Sequence, residues 1–512
     1  MGDGLRFMRP RIAAVLILLL STILVLSSCG ALSSSGVIIP PGTAQISLRS
    51  NSILVGPAGG TAAAALVAHG NGTPVTWTAS TGTSWIHLTD TNGSTAALGS
   101  VARFLYDSNP GGTRSGTITY LSAGFSGTFT VTQAGAGYVA TLPAPTTLLT
   151  LPSLSAFAVD LAGNVYFVPN YWSDTSATLQ EWVAATGSSV PLSFPAAGQC
   201  GAALTEATAL FVNDAEIVVG NTPGTCPAFF GTQPVDLTLQ WTPGTAQSVL
   251  LANESVQTSN YWAGVTPDWH GNYFAAVSVQ GAGGISTATT GVYIDGGGSL
   301  LAPPMANLTR YFATGLTGDT NGWLYLTGTS TGNVPGADYS IMRVNSTTAA
   351  VSELADLGNT ISNGLAVDGS GNLYFLVQDQ TAQNPSTYLD YYLAQWNVST
   401  GQVTRLSATG AIAQIYGDGV GNIYAETPQR VVQEFTPVFV NTTAKVEPAS
   451  AGSDQLAPVI PASTEFTAVS DSPWLTITGQ SEGAVSFSFT ATTVKRTGHI
   501  SFLGDSIAVT QQ

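Results

Sequence analysis

Ala158-Val159-Asp160-Leu161-Ala162-Gly163-Asn164-Val165-Tyr166-Phe167 is the stretch that decides the fold, because it recurs. Ala366-Val367-Asp368-Gly369-Ser370-Gly371-Asn372-Leu373-Tyr374-Phe375 repeats its scheme. Looser copies are Asp268-Trp269-His270-Gly271-Asn272-Tyr273-Phe274, Asp319-Thr320-Asn321-Gly322-Trp323-Leu324-Tyr325 and Asp418-Gly419-Val420-Gly421-Asn422-Ile423-Tyr424. The Asp positions 160, 268, 319, 368 and 418 are separated by 108, 51, 49 and 50 residues. The first interval is two periods, so a degenerate copy is expected near 210. Leu204 to Val219, with apolar runs on either side of Asn213-Asp214, fills that place. The chain therefore carries six units of about 50 residues.

Each copy has a physical reading. An apolar strand ends at Asp, whose carboxylate can accept from backbone N–H groups of the turn. Gly supplies the left-handed residue. A second strand begins at Asn-x-Tyr. A third follows at Leu179–Val183, Leu237–Trp241, Ile341–Val344 and Tyr392–Trp396. A small turn, Thr186-Gly187, Pro243-Gly244 or Thr400-Gly401, then leads to an outer strand. Four short strands per repeat predict an all-β chain with a six-bladed β-propeller over 138–437. The units resemble NHL-type propellers, in which six blades are common. The last unit has only Ala413–Tyr416, Asn422–Ala425 and Val431–Phe435. The segment from Val139-Ala140-Thr141 to Thr147-Leu148-Leu149 is expected to supply its outer strand, closing the ring and removing an open sheet edge.

Two β modules flank the repeats. Residues 45–136 contain Val75-Thr76-Trp77, Ser84-Trp85-Ile86, Asn109, Arg114-Ser115-Gly116-Thr117-Ile118 and Val131-Thr132-Gln133. Residues 441–512 repeat the scheme with Phe466-Thr467-Ala468, Pro473-Trp474-Leu475, Arg496-Thr497-Gly498-His499-Ile500 and Val509-Thr510-Gln511, without an equivalent of Asn109. The offset falls from 389 at Trp85/Trp474 to 382 at Arg114/Arg496 and 378 at Gln133/Gln511, so the second copy is shortened by small deletions. Both resemble BACON domains, immunoglobulin-like β-sandwiches of exported bacterial proteins, for which carbohydrate binding has been proposed. Trp77, Trp85 and Trp474 are expected in the sandwich cores.

At the N-terminus, Arg6, Arg9 and Arg11 precede the apolar run Ile12–Leu26, which is shorter than the roughly 20 residues of a spanning helix. This is the layout of a signal peptide. Leu26-Ser27-Ser28-Cys29-Gly30 resembles the bacterial lipobox. The resemblance implies cleavage after residue 28 and acylation of Cys29, with 29–44 as a polar tether. It also implies an envelope location, the outer membrane being favoured because Gly30 rather than Asp follows Cys29. Setting Cys29 aside leaves Cys200 and Cys226, either a disulfide or two separate buried thiols.

Charged residues make up 8% of the chain, against about 25% typically, while the apolar fraction is 44%. A polar, uncharged chain rich in Gly suits an extracytoplasmic β protein. The net charge of −16, with Lys only at 445 and 495, excludes a phosphate-tracking basic stripe and so nucleic acid.

Catalytic constellations are sparse. The histidines are His69, His87, His270 and His499, and only His270 falls in the repeats, so a multi-His metal site there is excluded. Asp319, Asn363 and Asp418 invite comparison with six-bladed lactonases of the gluconolactonase type, which hold a central divalent metal. The repeat aspartates, however, are explained as turn caps, and no cofactor is expected. The stronger signal is aromatic. Loops between second and third strands share a face with the loops between blades, and Tyr171, Trp172, Phe229, Phe230, Tyr261, Trp262, Tyr311, Tyr388 and Tyr391 are placed there. Aromatic rings stack on sugars and anchor protein interfaces. The expected function is a membrane-anchored, non-catalytic binding or scaffold protein engaging glycan or an envelope protein. The alternative is a propeller hydrolase or lyase with a channel metal.

Overall fold

The computed structural model describes residues 45–69, 74–95, 99–142, 145–152, 156–168, 179–194, 201–202, 209–212, 217–228, 231–242, 249–255, 260–267, 273–281, 284–295, 304–319, 321–330, 338–358, 362–368, 371–379, 391–398, 401–408, 410–418 and 420–512. Every regular element among them is a strand.

Six antiparallel meanders occupy the middle of the described chain. The first is Phe157–Val159, Val165–Phe167, Leu179–Val183 and Ser188–Leu192. In the second, Ala209–Val212 and Gly201–Ala202 both pair with the long strand Ile217–Ala228, which is followed by Gly231–Trp241 and Val249–Ser255. The degenerate copy expected near 210 thus contributes its inner strand. The third is Asn260–Pro267, Tyr273–Gly281, Gly284–Asp295 and Ala306–Thr309. The fourth is Tyr311–Gly318, Trp323–Ser330, Asp338–Asn345 and Val351–Gly358. The fifth is Ser362–Val367, Leu373–Gln378, Tyr391–Asn397 and Gln402–Arg405. The sixth is Gln414–Gly417, Ile423–Glu426 and Val431–Phe435, completed by Thr146–Thr150.

The inner strands of successive meanders lie side by side, and Gln414–Gly417 of the sixth returns to Phe157–Val159 of the first. The arrangement is propeller-like. Apolar cores lie between neighbouring sheets, which explains the burial along each strand. Val165–Phe167 is buried at every position, whereas Gln402–Arg405 at the rim is exposed at every position. A second strand covered on both faces needs a continuous apolar run; an outer strand does not. The first and sixth meanders share one core, in which the Phe157 and Tyr416 rings lie 6.0 Å apart.

The expected closing segment divides in two. Only Thr146–Thr150 takes the outer position of the sixth meander, antiparallel to Val431–Phe435. Tyr138–Thr141 instead pairs with Val438–Asn441 in a separate ribbon. That ribbon belongs with the C-terminal unit: Val438 and Val440 enter its core, and the Tyr138 hydroxyl donates to the Pro458 carbonyl at 2.9 Å. The correction has a simple cause. Both segments alternate in the same way, and the choice of partner is made by residues some 300 positions away.

Each flanking unit has two facing sheets. In the N-terminal unit a four-stranded sheet begins with Gln45–Leu48, and a five-stranded one ends its sequence at Phe125–Gln133. Trp77, Phe104, Tyr120 and Phe129 fill the space between them. In the C-terminal unit Lys445–Glu447 runs parallel to Asp505–Gln511, as Ser52–Val55 runs parallel to Phe125–Gln133.

Candidate functional site

The repeat aspartates sit on the face of short turns. Asp160 is fully buried. Its Oδ1 accepts from the backbone N–H groups of Ala162 and Asn164, both at 2.8 Å, and its Oδ2 accepts from Asn164 Nδ2 at 2.9 Å and the Tyr166 hydroxyl at 3.1 Å. The pattern recurs at Asp319 with Asn321, Trp323 and Tyr325, at Asp368 with Asn372 and Tyr374, and at Asp418 with Val420, Asn422 and Tyr424. Asn164 and Asn372 extend it, since their Oδ1 atoms accept from the N–H groups of Ala184 and Val398 in the neighbouring turn, each at 3.0 Å. Gly163 and Gly371 hold φ at +84° and +82°, the left-handed region the turn requires. Burial pushes the Asp160 carboxyl up to about 6, against the lowering effect of the Asn164 donors. Asp319 spends its oxygens on its own turn, and Asp418 adds to its cap a bond from Arg49 Nη1 at 2.6 Å. Asp268 lies outside the described residues. Asn363 lies in Ser362–Val367 opposite Leu376, its side chain outside the described set. Among the described residues no group of three or more His, Cys, Asp or Glu side chains could hold a metal.

The opposite face takes the ends of the second strands and the starts of the third. Of the aromatic candidates, Tyr171, Trp172, Phe229, Phe230 and Tyr388 lie outside the described residues, as do Cys29 and Cys200. Tyr261 and Trp262 belong to the strand Asn260–Pro267, and Cys226 to Ile217–Ala228, with side chains outside the described set. Tyr311 is corrected. It is only 4% exposed, and its hydroxyl reaches the carbonyls of Ser340 at 2.9 Å and Leu326 at 3.2 Å. It is a core plug at the start of the fourth meander, because its first strand begins one residue earlier than a loop placement requires. Tyr391 is half-buried against the apolar cluster of the fifth and sixth meanders.

Beside Tyr391 stands a group that sequence reasoning missed. The Arg405 guanidinium lies 4.1 Å from the centre of the Tyr392 ring and 3.6 Å from Asp379 Oδ2, and its Nε donates to the Ser407 carbonyl at 2.9 Å. Three strand ends converge here: Leu373–Gln378, the start of Tyr391–Asn397 and the end of Gln402–Arg405. The Arg405 side chain is 47% exposed and lies over the half-buried Tyr392 ring, so the rim presents a guanidinium backed by an aromatic. The signal was available, since Arg405 pairs with Ala394 and Tyr392 is two residues away on the same sheet face.

Glu426, at the loop-face end of its strand, is wholly buried, and neither carboxylate oxygen has a hydrogen-bond partner. Burial pushes it up to about 8, against the pull of Arg430. The position two residues beyond the repeat tyrosine is Val168, Thr327 and Leu376 in the first, fourth and fifth units, so the fold itself does not call for an acid.

In the flanking units the motif residues form a latch. The Arg114 guanidinium lies 4.4 Å from the Trp85 ring centre, and its Nε donates to Gln133 Oε1 at 2.9 Å. Gln133 Nε2 in turn donates to the carbonyls of Asp107 at 2.9 Å and Gly56 at 3.2 Å. Arg496 lies 4.3 Å from the Trp474 ring centre and donates to Gln511 Oε1 at 2.9 Å, and Gln511 Nε2 donates to Pro448 O at 2.8 Å. Trp85 and Trp474 are half-buried beneath their arginines rather than enclosed like Trp77. Asn109 pins its loop by donating to Gly112 and Ala134 carbonyls. These residues tie the ends of Ser52–Val55 and Lys445–Glu447 to the last strand of their units.

Comparison with known proteins agrees on part of the chain. Residues 75–134 match the family described as "BACON: Putative binding domain, N-terminal". No curated protein matches the chain. Among solved structures, a structural genomics protein of unknown function from Bacteroides thetaiotaomicron is 9% identical with a TM-score of 0.36, over 78% of this chain and 98% of that one. The β-propeller domain of the Trilobed protease from Pyrococcus furiosus is 12% identical with a TM-score of 0.33, over 68% and 94%. A GH74 enzyme from Niastella koreensis is 13% identical with a TM-score of 0.35, over 56% and 45%. The chain thus carries a BACON domain match at 75–134 within an all-β, propeller-like fold.

Proposed function

We propose that this chain is a non-catalytic binding protein displayed at the cell envelope. In this reading the six meanders are the blades of a closed NHL-type propeller, and the two-sheet units are immunoglobulin-like modules on either side of it. Cleavage after residue 28 and lipid on Cys29 anchor the chain to a membrane, the outer membrane being favoured. The support is the basic start, the apolar run and the small residues before Cys29.

The observation that carries the binding reading is the contrast between the two faces. On the turn face the described repeat acids cap their turns, and Asp418 is further engaged by Arg49 of the same chain. On the loop face the exposed Arg405 lies over Tyr392 and beside Asp379. A flat ring beside a charged fork is suited to sugar rings or to a protein hot spot. The test is retention on a glycan or envelope-extract array of the wild-type chain and of the Trp172→Ala, Trp262→Ala double variant. Loss of retention in the variant is expected; unchanged retention contradicts the choice of face.

A further inference from the structure

The family description of residues 75–134 speaks of binding and leaves the partner open. We infer that the N-terminal two-sheet unit binds in cis, its partner being the seam between the first and sixth meanders of its own chain, which Arg49 clasps shut. Arg49 stands at the corner between Gln45–Leu48 and Ser52–Val55, where its backbone N–H donates to the Ala65 carbonyl at 3.0 Å. Its side chain leaves the unit and enters the seam, remaining only 14% exposed. Nη1 donates to Asp418 Oδ2 at 2.6 Å and lies 3.4 Å from the Asp160 carbonyl. Nη2 donates to the Tyr424 hydroxyl and lies 3.5 Å from Glu434 Oε1. One guanidinium therefore holds the cap of the sixth meander, the acid of its third strand and the turn of the first meander.

The surroundings are shaped for this contact. Leu161 and Val420, which follow the two capping aspartates closely in their turns, pack against Ala63, Ala65 and Val101 of the N-terminal unit. Small residues are required opposite them, because a Cβ at Gly99 would stand 2.8 Å from the Leu161 Cβ. A Cβ at Gly163 would stand 3.3 Å from the Arg49 guanidinium.

The internal repeats show that the contact is specific. The first meander has the same acid set, with the Tyr166 hydroxyl between Asp160 and Glu181, and among the described residues no guanidinium bonds to those carboxylates. In the fifth, Gln395 stands where the first and sixth meanders have Glu181 and Glu434, and it donates to the Tyr374 hydroxyl. Arg49 is thus aimed at the one meander whose outer strand, Thr146–Thr150, comes from the other end of the repeat region. The C-terminal unit has no such arm. Val55 pairs with Gln133 as Glu447 pairs with Gln511, which sets Asn441 in the place of Arg49. Asn441 only accepts from the N–H of Thr443 in its own chain segment.

The test is amide hydrogen exchange of the full chain with Arg49→Met, which keeps an unbranched apolar stem and loses every donor. Exchange is expected to quicken about tenfold or more in Ile423–Glu426, Val431–Phe435 and Thr146–Thr150, and to stay within about twofold in Leu373–Gln378. Unchanged seam exchange, or an equal rise in all meanders, overturns the clasp. If Arg49→Met does not yield soluble protein, Arg49→Lys, which keeps the charge and loses the second donor arm, is read by the same comparison.

Discussion

Replacing Glu426 by Gln isolates one buried proton. The side chain is wholly buried, both carboxylate oxygens lack a partner, and its carboxyl is held at about 8 instead of 4.5. The folded chain therefore keeps Glu426 protonated through neutral pH, whereas the unfolded chain releases the proton above 4.5. The cost of the acid is nil below pH 4.5, grows as pH rises and levels off above pH 8. At about 1.4 kcal/mol per pH unit, the cost is about 3 kcal/mol at pH 7 and approaches about 5 kcal/mol above pH 8. Gln keeps the size and the neutral state, so any constant penalty from its own amide leaves the pH slope untouched. The assay is thermal unfolding of wild type and Glu426→Gln between pH 4.5 and 8.5, following the transition of the propeller-like region. At roughly 2 °C per kcal/mol, the variant should gain on wild type by about 6 °C between the acid end and pH 7. A difference that does not change with pH refutes the reasoning, as does one that grows toward acid.

Other substitutions test the turns and latches. Asp368→Ala should destabilise the fifth meander by about 3 kcal/mol, since it strands the donors of Asn372 and Tyr374, and the loss should appear as faster exchange in Leu373–Gln378. Gly371→Ala, at φ +82°, should cost about 1–2 kcal/mol in thermal unfolding, while the same change at Gly479, which has no left-handed φ and no neighbour within 4 Å, should be close to neutral. Gln511→Ala should lower the stability of the C-terminal unit by about 3 kcal/mol in urea denaturation, because Arg496 and the Pro448 carbonyl lose their partner in a part-buried place. An effect below about 0.5 kcal/mol would show that the latch is dispensable.

The turn repeat was legible because its logic is local. Asp, Gly, Asn and Tyr act within seven residues of one another, and the cap bonds at Asp160 and Asp368 connect those same residues. The paired motif pieces of the flanking units were legible for the same reason, repeated as a set. What the sequence hid was long-range. Nothing around Tyr138–Thr141 says that its partner is Val438–Asn441, and nothing around Arg49 points to Asp418. Tyr311 was misplaced because an aromatic residue at the boundary between a loop and an inner strand reads the same whether it faces solvent or a neighbouring sheet. The Tyr392–Arg405 pair was within reach of hairpin register but required the fourth strand to be positioned first.

The proposed division between a turn face of capped acids and a binding loop face is tested most directly by hydroxyl-radical footprinting of the full chain with and without an envelope extract. Protection is expected at Asp379, Tyr391, Tyr392 and Arg405, with the outer strands Ser188–Leu192 and Val351–Gly358 unchanged. Protection confined to the outer strands or to the turns around Asp319 and Asp368, with the loop rim unaltered, would contradict the account.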